Sequence, residues 1–93
     1  MKLIFCPHCQ DVRKLDYKEV RCKCERSSGW YKSDGLNAII AGSAIPVGFH
    51  NASFSRALHS RPVSGPGARF EAFVIPVECP TIERLQESNL SGL

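Results

Sequence analysis

Four of the five cysteines in this 93-residue sequence fall in two close pairs, Cys6-Pro7-His8-Cys9 and Cys22-Lys23-Cys24, separated by twelve residues. Thiolates are soft, anionic ligands. Two such pairs, each on a tight turn that aims both sulfurs at one point, supply the corners of a tetrahedral metal site. The same thiols also suit a disulfide, an iron ion, or a redox pair at Cys6 and Cys9. The opening Met1-Lys2-Leu3-Ile4-Phe5 is far too short and too little apolar for a secretion signal, and a redox pair lacks its expected strand–helix–strand context. Metal binding in a cytoplasmic protein is therefore the expectation. His8, inside the first pair, is expected to point outward, and Cys79 to act as a small, half-buried apolar residue rather than a ligand.

The segment between the pairs carries Val12, Leu15, Tyr17 and Val20 in an otherwise polar run, which predicts a hairpin turning near Leu15-Asp16. On Cys6, Pro7, Cys9, Cys22 and Cys24 the first 33 residues resemble the zinc-ribbon fold group. The resemblance implies one structural zinc ion held between two knuckles, with short antiparallel strands around it. Two features depart from that pattern. The second pair is Cys-x-Cys, one residue shorter than the commoner Cys-x-x-Cys, and it is followed by Glu25 where many knuckles place glycine.

The elements that must position such a site read as mostly β, a small α+β chain. A zinc ribbon over residues 1–33 continues into a small antiparallel sheet with one helix over residues 34–78, packed on the ribbon as a single domain, with a tail over 79–93. Ser28-Gly29-Trp30-Tyr31 leads to a turn at Asp34-Gly35 and a strand over 36–41. Trp30 and Tyr31 are read as packing residues rather than a platform for stacked bases. Pro46 in the next extended run, 44–49, points to an edge strand or a bulge. A helix is predicted over about 51–60, capped by Asn51 or Ser53, with Phe54, Ala57 and Leu58 on the face that packs on the sheet. Pro62 ends it, a Gly-Pro loop follows, and Arg69–Pro76 reads as a strand. A helical turn is expected around Ile82–Gln86, and a frayed end from Asn89. No run approaches the roughly 18 apolar residues of a membrane span, so no membrane partner is expected.

Charge gives two binding candidates. The twelve Lys and Arg against nine Asp and Glu make a formal +3, and eight of those twelve cations lie in residues 1–33. Four thiolates and a divalent ion together contribute −2, so the loaded protein carries only about +1. The basic character then narrows to Arg13, Lys14 and Lys18, which suit a phosphate backbone. Separately, Arg56, His59, Arg61 and Arg69 flank Ser64, Gly65 and Gly67, the inventory of a site for an anionic small molecule such as a nucleotide. No Gly-Lys-Ser/Thr follows these glycines, so no phosphate loop of the Walker type is present. His50, Ser53 and Ser55 lack an acidic orienting partner, and four thiolates leave a metal no open position, so an enzyme is not expected. The sequence thus points to a zinc-binding module for nucleic acid or another anionic ligand, or else to a non-catalytic protein-interaction adaptor or inhibitor, or to a protein that binds and sequesters a small molecule such as a nucleotide; it does not specify the oligomeric state.

Overall fold

The computed structural model describes residues 1–85. Among them it contains eight strands and one helix, arranged as two four-stranded sheets. The first hairpin pairs β1 (Lys2–Phe5) with β2 (Val12–Lys14), setting Leu3 opposite Lys14 and Phe5 opposite Val12. The second pairs β3 (Val20–Arg21) with β4 (Ser27–Tyr31), setting Val20 opposite Gly29. Each cysteine pair sits in the turn of one hairpin. The connector around Leu15-Asp16 is therefore not a hairpin turn, as its apolar spacing suggested, but a crossover between sheets. The Leu15 N–H donates to the Lys2 carbonyl at 3.1 Å, and the Asp16 carbonyl accepts from Tyr31 N–H at 2.8 Å. With β2 bonded to β1 and β3 bonded to β4, Leu15 is free to enter the core.

Strand β5 (Ala38–Gly42) pairs antiparallel with β4, and β6 (Ile45–Phe49) returns to pair with β1. The β4–β5 turn is held by Asp34, whose carboxylate accepts the N–H groups of Leu36 and Asn37 at 2.9 Å. Strand β7 (Ala72–Val74) extends the first sheet to β2-β1-β6-β7. Strand β8 (Ile82–Arg84) extends the second to β3-β4-β5-β8 and runs parallel to β5. Ile4 and Leu15 meet Ala38, Ile40 and Ala44 in the core, with Tyr31 and Ile82 packed against them. Residues from both sheets thus share one apolar interior.

Several local expectations are corrected. Pro46 lies on an internal strand, because its missing N–H faces β7 and leaves the β1–β6 ladder complete. Its carbonyl accepts from Ile75 N–H at 2.9 Å, so the absent donor would face the same residue, just beyond the end of β7. Only Ala72–Val74 of the expected 69–76 strand is paired. Ile82–Arg84 is a strand and not a helical turn, because β5 offers it an open edge; the expectations for Gln86 and for Asn89 onward lie outside the described residues. Helix α1 (Asn51–His59) is capped by His50, whose Nδ1 accepts from Ser53 N–H at 3.2 Å. Asn51 is engaged elsewhere, its Oδ1 accepting from the terminal amine of Met1 at 2.7 Å. Phe54 packs with Phe49 and Phe70, ring centroids 4.6 to 5.3 Å apart, whereas Leu58 on the same face stays exposed. Among the described residues, no helix is long and apolar enough to cross a membrane.

Candidate metal centre

The two turns bring all four expected sulfurs together. The Sγ atoms of Cys6, Cys9, Cys22 and Cys24 lie within 4.8 Å of one another. Cys24 Sγ stands 3.7 Å from Cys6 Sγ and 3.6 Å from Cys22 Sγ. A tetrahedron of metal–sulfur bonds of about 2.3 Å has edges of about 3.8 Å; these two separations match it, and none of the others exceeds 4.8 Å. Cys6 and Cys22 are buried, Cys9 is half-buried and Cys24 is exposed. The site thus sits at one end of the core with one side open.

The turns close by related hydrogen bonds. In the first, Gln10 N–H donates to the Cys6 carbonyl at 2.7 Å; in the second, Glu25 N–H donates to the Cys22 carbonyl at 3.0 Å, one residue sooner because the pair is one residue shorter. Gln10 and Glu25, each directly after the second cysteine of its pair, both adopt left-handed backbone, with φ of 60° and 66°. That conformation costs a residue with a side chain about 1 kcal/mol or more. Replacing Glu25 with glycine is therefore expected to stabilise the metal-loaded protein by up to about 1 kcal/mol. The exposed Arg21–Glu25 pair that would be lost, at 3.2 Å, offsets little of this. Urea unfolding of Glu25→Gly measures the gain; an unchanged or lower midpoint would show that the turn stores no strain.

Electrostatics divide the thiols. Burial opposes ionisation of Cys6, but the nearby Ser27 hydroxyl and the Cys9 and His8 backbone N–H groups outweigh it and draw the thiol down to about 6. Cys22 is also lowered, burial again opposing and the Ser27 N–H favouring its thiolate. At Cys24 the Arg26 N–H favours ionisation, yet burial and the neighbouring sulfurs of Cys9, Cys22 and Cys6 push the thiol up to about 12. Without a cation, four sulfurs this close cannot all carry charge. An ion that displaces the remaining protons removes that conflict. Four-thiolate clusters of this size suit zinc or iron by the softness of their ligands.

Two residues that the spacing of cysteines does not reveal help to build the centre. The Asp11 carboxylate accepts from Lys23 N–H at 2.8 Å and from Arg13 Nε at 2.7 Å, so one side chain clasps the second turn to the first hairpin. The Arg13 hydrogen bond holds the Asp11 carboxyl below its usual range. Ser27 is buried, its carbonyl accepts from Cys22 N–H at 2.9 Å, and its hydroxyl has no hydrogen-bond partner of full geometry. Neither residue type signals such a role in sequence, because Asp and Ser accept or donate locally almost anywhere.

His8 turns away from the sulfurs. Its Nδ1 lies 3.2 Å from Arg26 Nη1 and its Nε2 lies 3.0 Å from Ser43 Oγ. Arginine is only a donor, so Nδ1 accepts and the proton sits on Nε2. Cys79 is remote from the cluster and lies 3.3 Å from Thr81 Oγ1, which lowers its thiol.

The other candidate residues are dispersed. Arg13 is paired with Asp11, while Lys14 on β2 and Lys18 in the crossover are exposed. Arg56 and Arg69 share a cleft of about 440 Å³ with Ser53 and Ser60. Arg61, Ser64, Gly65 and Gly67 line a second cleft of about 380 Å³ floored by Phe54 and Phe70. His59 borders neither cleft and donates from Nδ1 to the Ser55 carbonyl at 2.8 Å. The glycine loop also adjoins the C-terminal end of α1, whose free carbonyls repel anions, rather than the amide-rich start that would attract them. Six of the seven residues thus line two adjoining clefts that share Ala57, Ala68 and Phe70, and His59 lines neither. No protein-family model, no curated protein and no solved structure matches this chain.

Proposed function

We propose that the protein is a zinc-binding module of zinc-ribbon type that docks on nucleic acid through the basic surface of its metal-held hairpins. Zinc fits four thiolates at tetrahedral spacing, and such a set keeps no open position for water or substrate, which favours binding over catalysis. The observation that carries the polyanion reading is the state of the cations around the centre. Arg13 and Arg21 are neutralised by Asp11, Glu19 and Glu25, whereas Lys14, Lys18 and Lys23 meet no carboxylate among the described residues. Three free ammonium groups, Lys14 and Lys23 on the two hairpins and Lys18 in the crossover between them, suit contact with phosphates, which positions a protein without reading sequence.

Binding of the zinc-loaded protein to a fluorescent oligonucleotide tests this. Affinity is expected to fall steeply with salt, and each of Lys14→Ala and Lys18→Ala is expected to reduce the salt slope by about one counterion. Absence of binding at low ionic strength, or binding indifferent to salt and to both substitutions, would remove the reading. In that case the protein-adaptor alternative stands.

A further inference from the structure

Sheets end in edges, and soluble proteins guard exposed edges with charge, proline or brevity because free N–H and C=O groups recruit other strands. Among the described residues the two sheets have four edge strands. Strand β2 (Val-Arg-Lys) and β8 (Ile-Glu-Arg) carry charges, and β3 is only two residues long. Strand β7 is Ala-Phe-Val, with no charge, no proline, and every residue exposed. Phe73 is 51 % and Val74 68 % exposed, and Val77 just beyond is fully exposed.

The hydrogen-bond pattern fixes which backbone groups are free. Ile75 N–H donates to Pro46, and the Glu71 carbonyl accepts from His50 N–H at 2.9 Å. Residues 71, 73 and 75 therefore face β6, and by alternation Ala72 and Val74 point both N–H and C=O outward. The Phe73 ring lies over Gly48, the one residue of β6 with no side chain to obstruct it, and so leans inward, away from the edge.

From this edge we infer that the protein forms a symmetric dimer in which β7 pairs antiparallel with β7 of a second copy. With the two-fold axis at Phe73, Ala72 faces Val74 of the second copy and exchanges both hydrogen bonds with it, and the symmetric pair does the same. Phe70 N–H adds a bond to the Pro76 carbonyl of the second copy. The proline's missing donor faces the Phe70 carbonyl near the end of the ladder. Charge is compatible with this register. Glu71 falls opposite Ile75 and Arg69 opposite Val77, so no like charges meet; centring on Glu71 instead would oppose two carboxylates. The first sheets of two copies then merge into one eight-stranded sheet, and the exposed Val74 gains neighbours on its outer face. An isologous edge-to-edge contact of this kind closes on itself and builds no filament.

Sedimentation equilibrium of the metal-loaded full chain tests the proposal, together with amide hydrogen exchange. A concentration-dependent dimer is expected, with the Ala72 and Val74 amides protected only in the dimer and the Phe73 amide, which faces β6, protected in both states. Val74→Pro deletes two intermolecular bonds without touching the β6 ladder and is expected to weaken association by at least about tenfold. Val74→Lys, which leaves the backbone unchanged, is expected to do likewise with metal content and far-ultraviolet circular dichroism preserved. A monomer at all concentrations overturns the inference. So does a dimer that ignores Val74→Lys and leaves the Ala72 and Val74 amides unprotected.

Discussion

Removing the metal with a strong chelator, or replacing Cys6 with serine, is expected to unfold both hairpins and the core between them. Structural zinc contributes on the order of 10 kcal/mol of apparent stability in small domains. Entire domains are stable by only about 5–15 kcal/mol, so loss of the ion outweighs what the apolar interior retains. The architecture makes the effect global. Cys6 and Cys22 are buried at the turns of two hairpins in different sheets, so a bound ion would tie those turns together with bonds far stronger than the side-chain packing between the sheets. Loss of dispersion in the proton–nitrogen spectrum on chelation, restored by added zinc, is the expected result. A native spectrum in the chelated protein would show that packing alone suffices. Cys79→Ser, outside the cluster, is expected to leave metal stoichiometry unchanged.

Leu15→Ala is expected to lower the unfolding free energy of the loaded protein by about 3 kcal/mol, within the range for deleting a buried leucine. Leu15 is almost wholly buried, and its side chain presses on Gly29, where an added Cβ would come within 3.1 Å of the leucine methyl. It joins Ile4 of the first sheet to Ile40 of the second, so a cavity there loosens both. Leu15→Met, which nearly conserves volume, should cost less than about 1.5 kcal/mol. Urea unfolding with saturating metal separates the two. Equal midpoints for both variants would mean that the surrounding side chains close any void.

The four-cysteine cluster was legible because coordination chemistry constrains spacing in the sequence itself, and all four expected sulfurs converge. The mostly β class was legible for a similar local reason, since short apolar runs alternate with turn residues such as Asp34-Gly35. Topology was not. A crossover and a hairpin look alike over Val12 to Val20, and what separates them is the burial of Leu15 against residues from the rest of the chain. Ile82-Glu83-Arg84 reads as a helical turn because Glu and Arg favour helix, but pairing with β5, some forty residues earlier, overrides that weak propensity. The cap of α1 shifted to His50 because Asn51 receives the chain's own amino terminus, fifty residues away.

The parallel pairing of β5 with β8 gives the chain an order of assembly as it is synthesised. The four clustered cysteines precede β4, β5, β6 and β8 in the chain, so the centre can form before those strands are made. The second sheet, by contrast, lacks β8, its last strand among the described residues, until residue 84, and β5 presents an open, apolar edge throughout that interval. Nascent protein can thus close at the cysteine turns early, while the β5 edge is covered late. The period between the two is when an unshielded strand is most exposed to mispairing with other chains.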